Sequence, residues 1–306
     1  MIEAHSLTKR YGAKTAVDNI DFIVRPGLVT GFLGPNGAGK STTMRMIIGL
    51  DRPSGGTVTV NGRPYAQHRD PLRQVGSLLD AKAVHTGRSA RNHLLAVGAT
   101  HRIGAKRVDE VIGLTGLESV ARKRVRGYSL GMGQRLGLAA ALLGDPATLI
   151  LDEPVNGLDP EGVAWVRQFA RQLASEGRTV LLSSHLMSEM AQTADRLIIL
   201  GRGRIVADAS VSEIVATARD SVNVRTSEPD RLAGLLSADG ATVSTNGPDL
   251  LSVSGFAAQR IAEVAAGAGV VIYELSPLRG SLEDAYLALT RDEVEYHTSQ
   301  TPAEAN

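Results

Sequence analysis

Eight consecutive residues, Gly34-Pro35-Asn36-Gly37-Ala38-Gly39-Lys40-Ser41, match the pattern G-x-x-x-x-G-K-[ST]. An apolar run, Val29-Thr30-Gly31-Phe32-Leu33, precedes them, and a helical pattern over residues 40–50 follows. Glycines let backbone N–H groups turn inward around an anion, and the helix start adds a positive dipole end. In such a loop Lys40 reaches the β- and γ-phosphates of a nucleoside triphosphate, and the Ser41 hydroxyl serves Mg²⁺. The loop residues and Thr42 after them are therefore expected to bind nucleotide. A Gly-rich turn that only caps a helix is the plainer reading, but such turns rarely carry Gly-Lys-Ser in register.

A second site of potential chemistry is Leu149-Ile150-Leu151-Asp152-Glu153-Pro154, where two adjacent carboxylates end an apolar run. The C-terminal edge of a buried parallel sheet is where such folds bind ligands. Asp152 can hold Mg²⁺ there, and Glu153 can polarise an attacking water as general base. Between the two motifs lies Tyr128-Ser129-Leu130-Gly131-Met132-Gly133-Gln134-Arg135. Serine and glycine opening a helix suit a further phosphate-binding surface, although Ser129 alone is an ordinary N-cap.

These loops need a scaffold, and the first two-thirds of the chain reads as one. Residues 20–24, 29–33, 57–60, 148–152 and 178–183 are strand-like, with a turn at Arg25-Pro26-Gly27 and a hairpin signal at Asn61-Gly62. Residues 88–121 show helical spacing and little strand character, and helices are expected over 130–143 and 162–175. Continuous apolar strands interleaved with helices predict a parallel sheet covered on both faces. Beyond about residue 219 the pattern shifts to strands at 222–225, 250–253 and 270–273 with two modest helices. That pattern predicts a small α+β domain.

Composition narrows the classes. Thirty-three Lys and Arg nearly cancel 32 Asp and Glu, so the chain lacks the basic excess typical of a nucleic-acid binder. With no cysteine, disulfides, thiolate catalysis and Cys-based zinc sites are excluded. The N-terminus has neither a basic segment nor an apolar run, so no secretory leader is expected. The longest apolar stretch, residues 136–143, is closed by Gly144-Asp145-Pro146 and is far short of the ~20 residues that span a bilayer. A membrane role must pass through a partner.

The order phosphate loop, helical insert, Ser-Leu-Gly-Met segment and acidic strand resembles the ATP-binding subunits of ABC transporters, over roughly residues 2–218. Tyr128 to Met132 is similar to the family's Leu-Ser-Gly-Gly-Gln signature, with Ser129 and Gly131 matching. The resemblance implies a P-loop NTPase (RecA-like) α/β core with an antiparallel β subdomain and an α-helical subdomain, the insert falling at about 88–140. It implies that Ser129 and Gly131 close over ATP held by an opposite subunit. Asn156-Gly157-Leu158-Asp159-Pro160 resembles the D-loop, which gives Asp159 a dimer contact. Ser183-Ser184-His185 resembles the switch region, which gives His185 a contact with the γ-phosphate and the attacking water. Lys9-Arg10-Tyr11-Gly12 matches the aromatic A-loop, in which Tyr11 stacks on adenine. One departure stands out: Asp80 occupies the position of a Gln that ligates Mg²⁺ in the family. This change, with the Tyr-Ser-Leu-Gly-Met signature, resembles the bacitracin- and daunorubicin-type branch of bacterial exporters.

The same resemblance implies an ATPase using ATP and Mg²⁺, paired as a homodimer or with a related ATPase. It would sit at the cytoplasmic face of the membrane through an integral permease, with no direct nucleic-acid partner. The expected domains are 1–218 for ATP binding, 219–292 for an accessory α+β domain, and 293–306 for a disordered polar tail. A soluble ABC ATPase acting on ribosomes or nucleic acid is the competing class, and a regulatory module without turnover a third. The former normally carries two motor domains or long coiled-coil inserts; the latter would not need both Glu153 and His185.

Overall fold

A computed structural model describes residues 1–80, 83–218 and 220–290. Two compact units emerge, Met1–Val211 with Thr290, and Ser212–Leu289. The tail expected over 293–306 lies outside the described residues.

The first unit opens with β1 (Ile2–Tyr11) and β2 (Lys14–Val24), an antiparallel hairpin that pairs Tyr11 with Lys14 at its tip. Next come β3 (Val29–Leu33), α1 (Lys40–Ile47) and β4 (Gly55–Val60), the last pairing with β1. The helix expected to reach residue 50 stops at Ile47, because Gly49 turns left-handed at φ 70° and ends it. Asn61 and Gly62, both at positive φ, form a tight turn between Val60 and Arg63 that closes only a single bridge. After α2 (Pro71–Gln74) and β5 (Val75–Leu78) the chain becomes helical through α3 (Ala90–Ala99), α4 (Ala105–Leu114) and α5 (Leu130–Leu142).

It then returns to the sheet with β6 (Thr148–Leu151), α6 (Pro160–Ser175), β7 (Thr179–Ser183), α7 (Met187–Thr193), β8 (Arg196–Gly201) and β9 (Arg204–Ser210), and α8 (Val211–Val215) begins at the boundary with the second unit.

Six strands run in the order β5-β6-β7-β3-β8-β9, all parallel except β9. Every residue of β3, β6 and β7 is buried, which is why these strands read as unbroken apolar runs. Met44, Met46 and Ile47 of α1 share one core with Ile2, Leu7 and Phe22 of the small sheet and Phe32, Ile150 and Leu181 of the large one. The successive strands β8 and β9 add to the sheet expected from the sequence pattern.

The second unit holds β10 (Ser221–Thr226), α9 (Pro229–Ala238), β11 (Thr242–Thr245), β12 (Leu250–Ser254), α10 (Ala258–Gly267) and β13 (Ile272–Leu278), with α11 (Leu282–Thr290) after them. Its order, β11-β12-β10-β13, is antiparallel throughout and makes a ferredoxin-like split β-α-β arrangement. Val222, Val224, Leu251 and Val253 on one sheet face pack with Leu232, Leu236 and Ile261 of the helices. Among the described residues no helix is long and apolar enough to cross a membrane.

Candidate functional site

The loops after β5, β6, β7 and β3 leave the same edge of the sheet, because those neighbouring strands are parallel. That one fact brings Asp80, the Asp152-Glu153 pair, His185 and residues 34–41 to a common rim.

The phosphate loop ends at Gly39, the N-cap of α1, at φ 102°. A Cβ there would lie 2.6 Å from the Ala16 carbonyl oxygen, so only glycine fits. No side chain caps α1 and no acid occupies its first turn, which leaves the helix start electropositive. Lys40 Nζ donates to the carbonyls of Gly34 (2.6 Å) and Pro35 (3.1 Å). Burial pushes its ammonium below the ordinary lysine range, and the carboxylates of Glu153 and Asp152 pull partly the other way. Lys14, Thr15, Pro35, Asn36, Gly37, Ala38 and Arg202 line a hollow of about 150 Å³ on this loop.

The acidic pair is wired into the same edge. Ser41 Oγ donates to one Asp152 carboxylate oxygen at 2.7 Å, and Ser183 Oγ to the other at 2.5 Å. The Asp152 N–H bonds the Leu78 carbonyl at 2.7 Å. Glu153 adopts a left-handed backbone, φ 49°, which for a residue of this kind costs on the order of 1–3 kcal/mol. Three contacts hold it there. Its N–H donates to Ser183 Oγ at 2.9 Å, its carbonyl accepts from Gln134 Nε2 at 2.8 Å, and its carboxylate meets His185 Nδ1 at 2.7 Å. An ionised carboxylate only accepts, so that contact assigns the proton to Nδ1.

Among the described residues no three His, Cys, Asp or Glu cluster as a metal cage. One hydroxyl beside one carboxylate, Ser41 with Asp152, fits Mg²⁺ chemistry instead, since that ion takes few protein ligands and completes its shell with phosphate oxygens and water.

Ser129 N-caps α5 by accepting from the Met132 N–H at 3.2 Å, and it is exposed. The helix start sits on the loop that follows Glu153. A Cβ on Gly131 would lie 3.1 Å from the Gly157 oxygen, and one on Gly157, at φ 74°, would run into Leu130. Asp159 N-caps α6 through the Gly162 N–H at 3.0 Å. Asp80 is exposed just beyond β5, its carbonyl accepting from the Ala83 N–H. Tyr11, 48% exposed, donates to Asp51 at 2.9 Å while Lys9 Nζ lies 4.8 Å from its ring centre. Arg45 pairs with Asp51 at 2.8 Å and holds its carboxyl below the usual range.

Comparison with known proteins bears on this geometry. The family description "ABC transporter" matches residues 17–156, and a domain of unknown function (DUF8746) matches residues 220–283. The daunorubicin resistance ATP-binding protein DrrA3 of Streptomyces coeruleorubidus is 37% identical over 93% of this chain and 94% of its own. The chain belongs to the ABC transporter ATP-binding family. A second relative of this ABC subunit, the bacitracin transport ATP-binding protein BcrA of Bacillus licheniformis, is 36% identical over 77% of this chain and 78% of its own. Among solved structures, an ATP-binding subunit of an ABC transporter matches with a TM-score of 0.65 at 25% identity, covering 71% of this chain and 92% of that one. The ABC subunit therefore binds and hydrolyses ATP, and its P-loop core is the one the resemblance implied.

Five residues around these candidate side chains have no role of their own in the sequence motifs. Ser183 and Gln134 lie within the switch and signature segments, yet what both do is grip the Glu153 backbone. The Lys9, Arg45 and Asp51 set around Tyr11 is spread over a hairpin tip and a helix end, and no spacing rule links them. For Gln134 a signal existed. An amide among the Gly, Leu and Ala residues that this helix turns inward faces the core and must find a partner there.

Proposed function

We propose that two copies of this chain, or one with a related ATPase, bind two ATP molecules between them and drive export through an integral membrane permease. The observation that carries this reading is the split of phosphate-binding parts. Ser41, Asp152, Glu153 and His185 converge on the phosphate loop, whereas Ser129 stands exposed at a capped helix start with its hydroxyl engaged by Met132. A second copy related by a two-fold axis supplies Ser129 and Gly131 to the first copy's nucleotide, and the converse.

In this reading Lys40 and the loop of residues 34–42, through the N–H groups of its residues other than Pro35, hold the β- and γ-phosphates, and Tyr11 stacks on adenine. Ser41 and Asp152 hold Mg²⁺, with Asp80 a further oxygen donor, and the ion supplies charge neutralisation of the phosphates. Glu153 takes a proton from water as the water oxygen bonds to the γ-phosphorus and the bond to the β-phosphate oxygen breaks, giving ADP and phosphate. His185 donates its Nδ1 proton to Glu153, which leaves Nε2 an acceptor for the attacking water; a contact with the γ-phosphate requires Nε2 to carry a proton as well. Asp159 contributes to the contact between copies. The subunit works at the cytoplasmic face, held there by the permease, and residues 219–292 form an accessory domain. The cargo is a drug, lipid or peptide, and daunorubicin and bacitracin in the relatives' names support the drug and peptide classes.

Glu153→Gln tests the core of the reading. With ATP and Mg²⁺ the variant should run as a dimer in light scattering and show turnover lowered by about 10²–10⁴-fold. Wild-type turnover in that variant would remove Glu153 from the base position. A monomer with ATP bound would remove the shared site.

A further inference from the structure

Gln134 is buried, 4% exposed, on a helix that otherwise turns small and apolar residues inward. Its amide does not touch the reacting edge. It donates instead to the main-chain carbonyl of Glu153 at 2.8 Å, and because a carbonyl oxygen only accepts, the orientation of the amide follows from its partner. The same oxygen accepts from the Asn156 N–H at 3.1 Å, and the Glu153 N–H is held by Ser183 Oγ at 2.9 Å. The peptide on each side of a left-handed glutamate is thus pinned by a separate element.

We propose that Gln134 is a positioning residue for hydrolysis, aiming Glu153 from the helix that carries Ser129. His185 orients the tip of the Glu153 carboxylate, while Gln134 sets the direction in which its side chain leaves the backbone. Ser183 alone cannot do this, since it grips only the N–H side and also serves Asp152. The start of α5 is further seated on the loop after Glu153 through the close approach of Gly131 to Gly157. The helix start and the loop that carries the base are therefore packed directly against each other. This rests on the two-copy reading for the role of Ser129, whereas the grip on Glu153 stands on the contacts within one chain.

The test uses the full-length chain. Gln134→Met keeps the side chain's length and removes its donor; Gln134→Glu keeps the shape and, at a pH where it is ionised, sets an acceptor against an acceptor. Steady-state ATP hydrolysis should show kcat lowered by about 10–100-fold, as expected for a reacting group displaced by roughly 1 Å. KM for ATP should stay within about twofold, because the phosphate loop is untouched. Two results overturn the proposal. One is wild-type kcat in Gln134→Met. The other is a fall in kcat matched by an equal loss of ATP affinity and a lower melting temperature, which marks general damage to the fold. Should Gln134→Met not fold, Gln134→Glu supplies the same comparison. Glu153→Gln, measured in parallel, separates the ideas: its failure to dimerise with ATP counts against the two-copy reading, while the Gln134 kcat still decides the positioning role.

Discussion

At the scale of single residues, Lys40 shows how the fold prepares a charge. Burial disfavours its ammonium, and nearby Asp152 and Glu153 hold it in place. A triphosphate adds opposite charge to that of the two carboxylates around this half-desolvated cation, so removing Lys40 should cost binding as well as rate. Hydrogen bonds to charged groups contribute about 1.5–3 kcal/mol each, so Lys40→Ala should weaken ATP binding by roughly 10–100-fold or more in calorimetric titration. An affinity within about threefold of wild type would show that the amides of the loop suffice. The phosphate loop and the acidic pair were legible in the sequence because both are contiguous: their geometry is dictated by the strand before and the helix or turn after. What holds Glu153 was not legible, since Gln134, Ser183 and His185 meet it only after three elements have packed.

At the scale of elements, α5 has a cap that the structure contains and a phosphate contact that is proposed, and the sequence pattern merges the two. Its N-cap Ser129 satisfies the Met132 N–H, a role worth about 1 kcal/mol of stability and one that Asp performs equally well. The proposed contact with a second copy's γ-phosphate is different in kind, because a carboxylate there would repel it. Ser129→Asp therefore separates the two. Its thermal midpoint should match wild type within about 2 °C, since a cap is kept. In the Glu153→Gln background the ATP-dependent dimer should disappear. If that dimer survives, the N-terminus of α5 does not face phosphate. Strand reading shows the same limit in another form. β3, β6 and β7 announced themselves as unbroken apolar runs, whereas the half-exposed β1 and β9, with polar residues interleaved, did not stand out.

At the scale of the whole molecule, two cores are built from separate sets of residues. One joins α1 to both sheets of the first unit, and the other is closed by Leu232, Leu236 and Ile261 over the four-stranded sheet of the second. No residue of the proposed ATP site belongs to the second core. The sequence change near residue 219 reflects this, because a β-α-β-β-α-β run cannot continue a parallel sheet and must bury its own face. Leu232 is fully buried, and its replacement by Ala should remove about 2–5 kcal/mol from that core. In scanning calorimetry of the full chain this should appear as a transition at lower temperature, with the ATP-stabilised transition unmoved. ATP affinity measured below both transitions should equal that of wild type. A single transition that shifts as a whole, accompanied by weaker ATP binding, would instead mean that the second unit's core supports the nucleotide site, and the assignment of ATP chemistry to the first unit alone would have to be withdrawn.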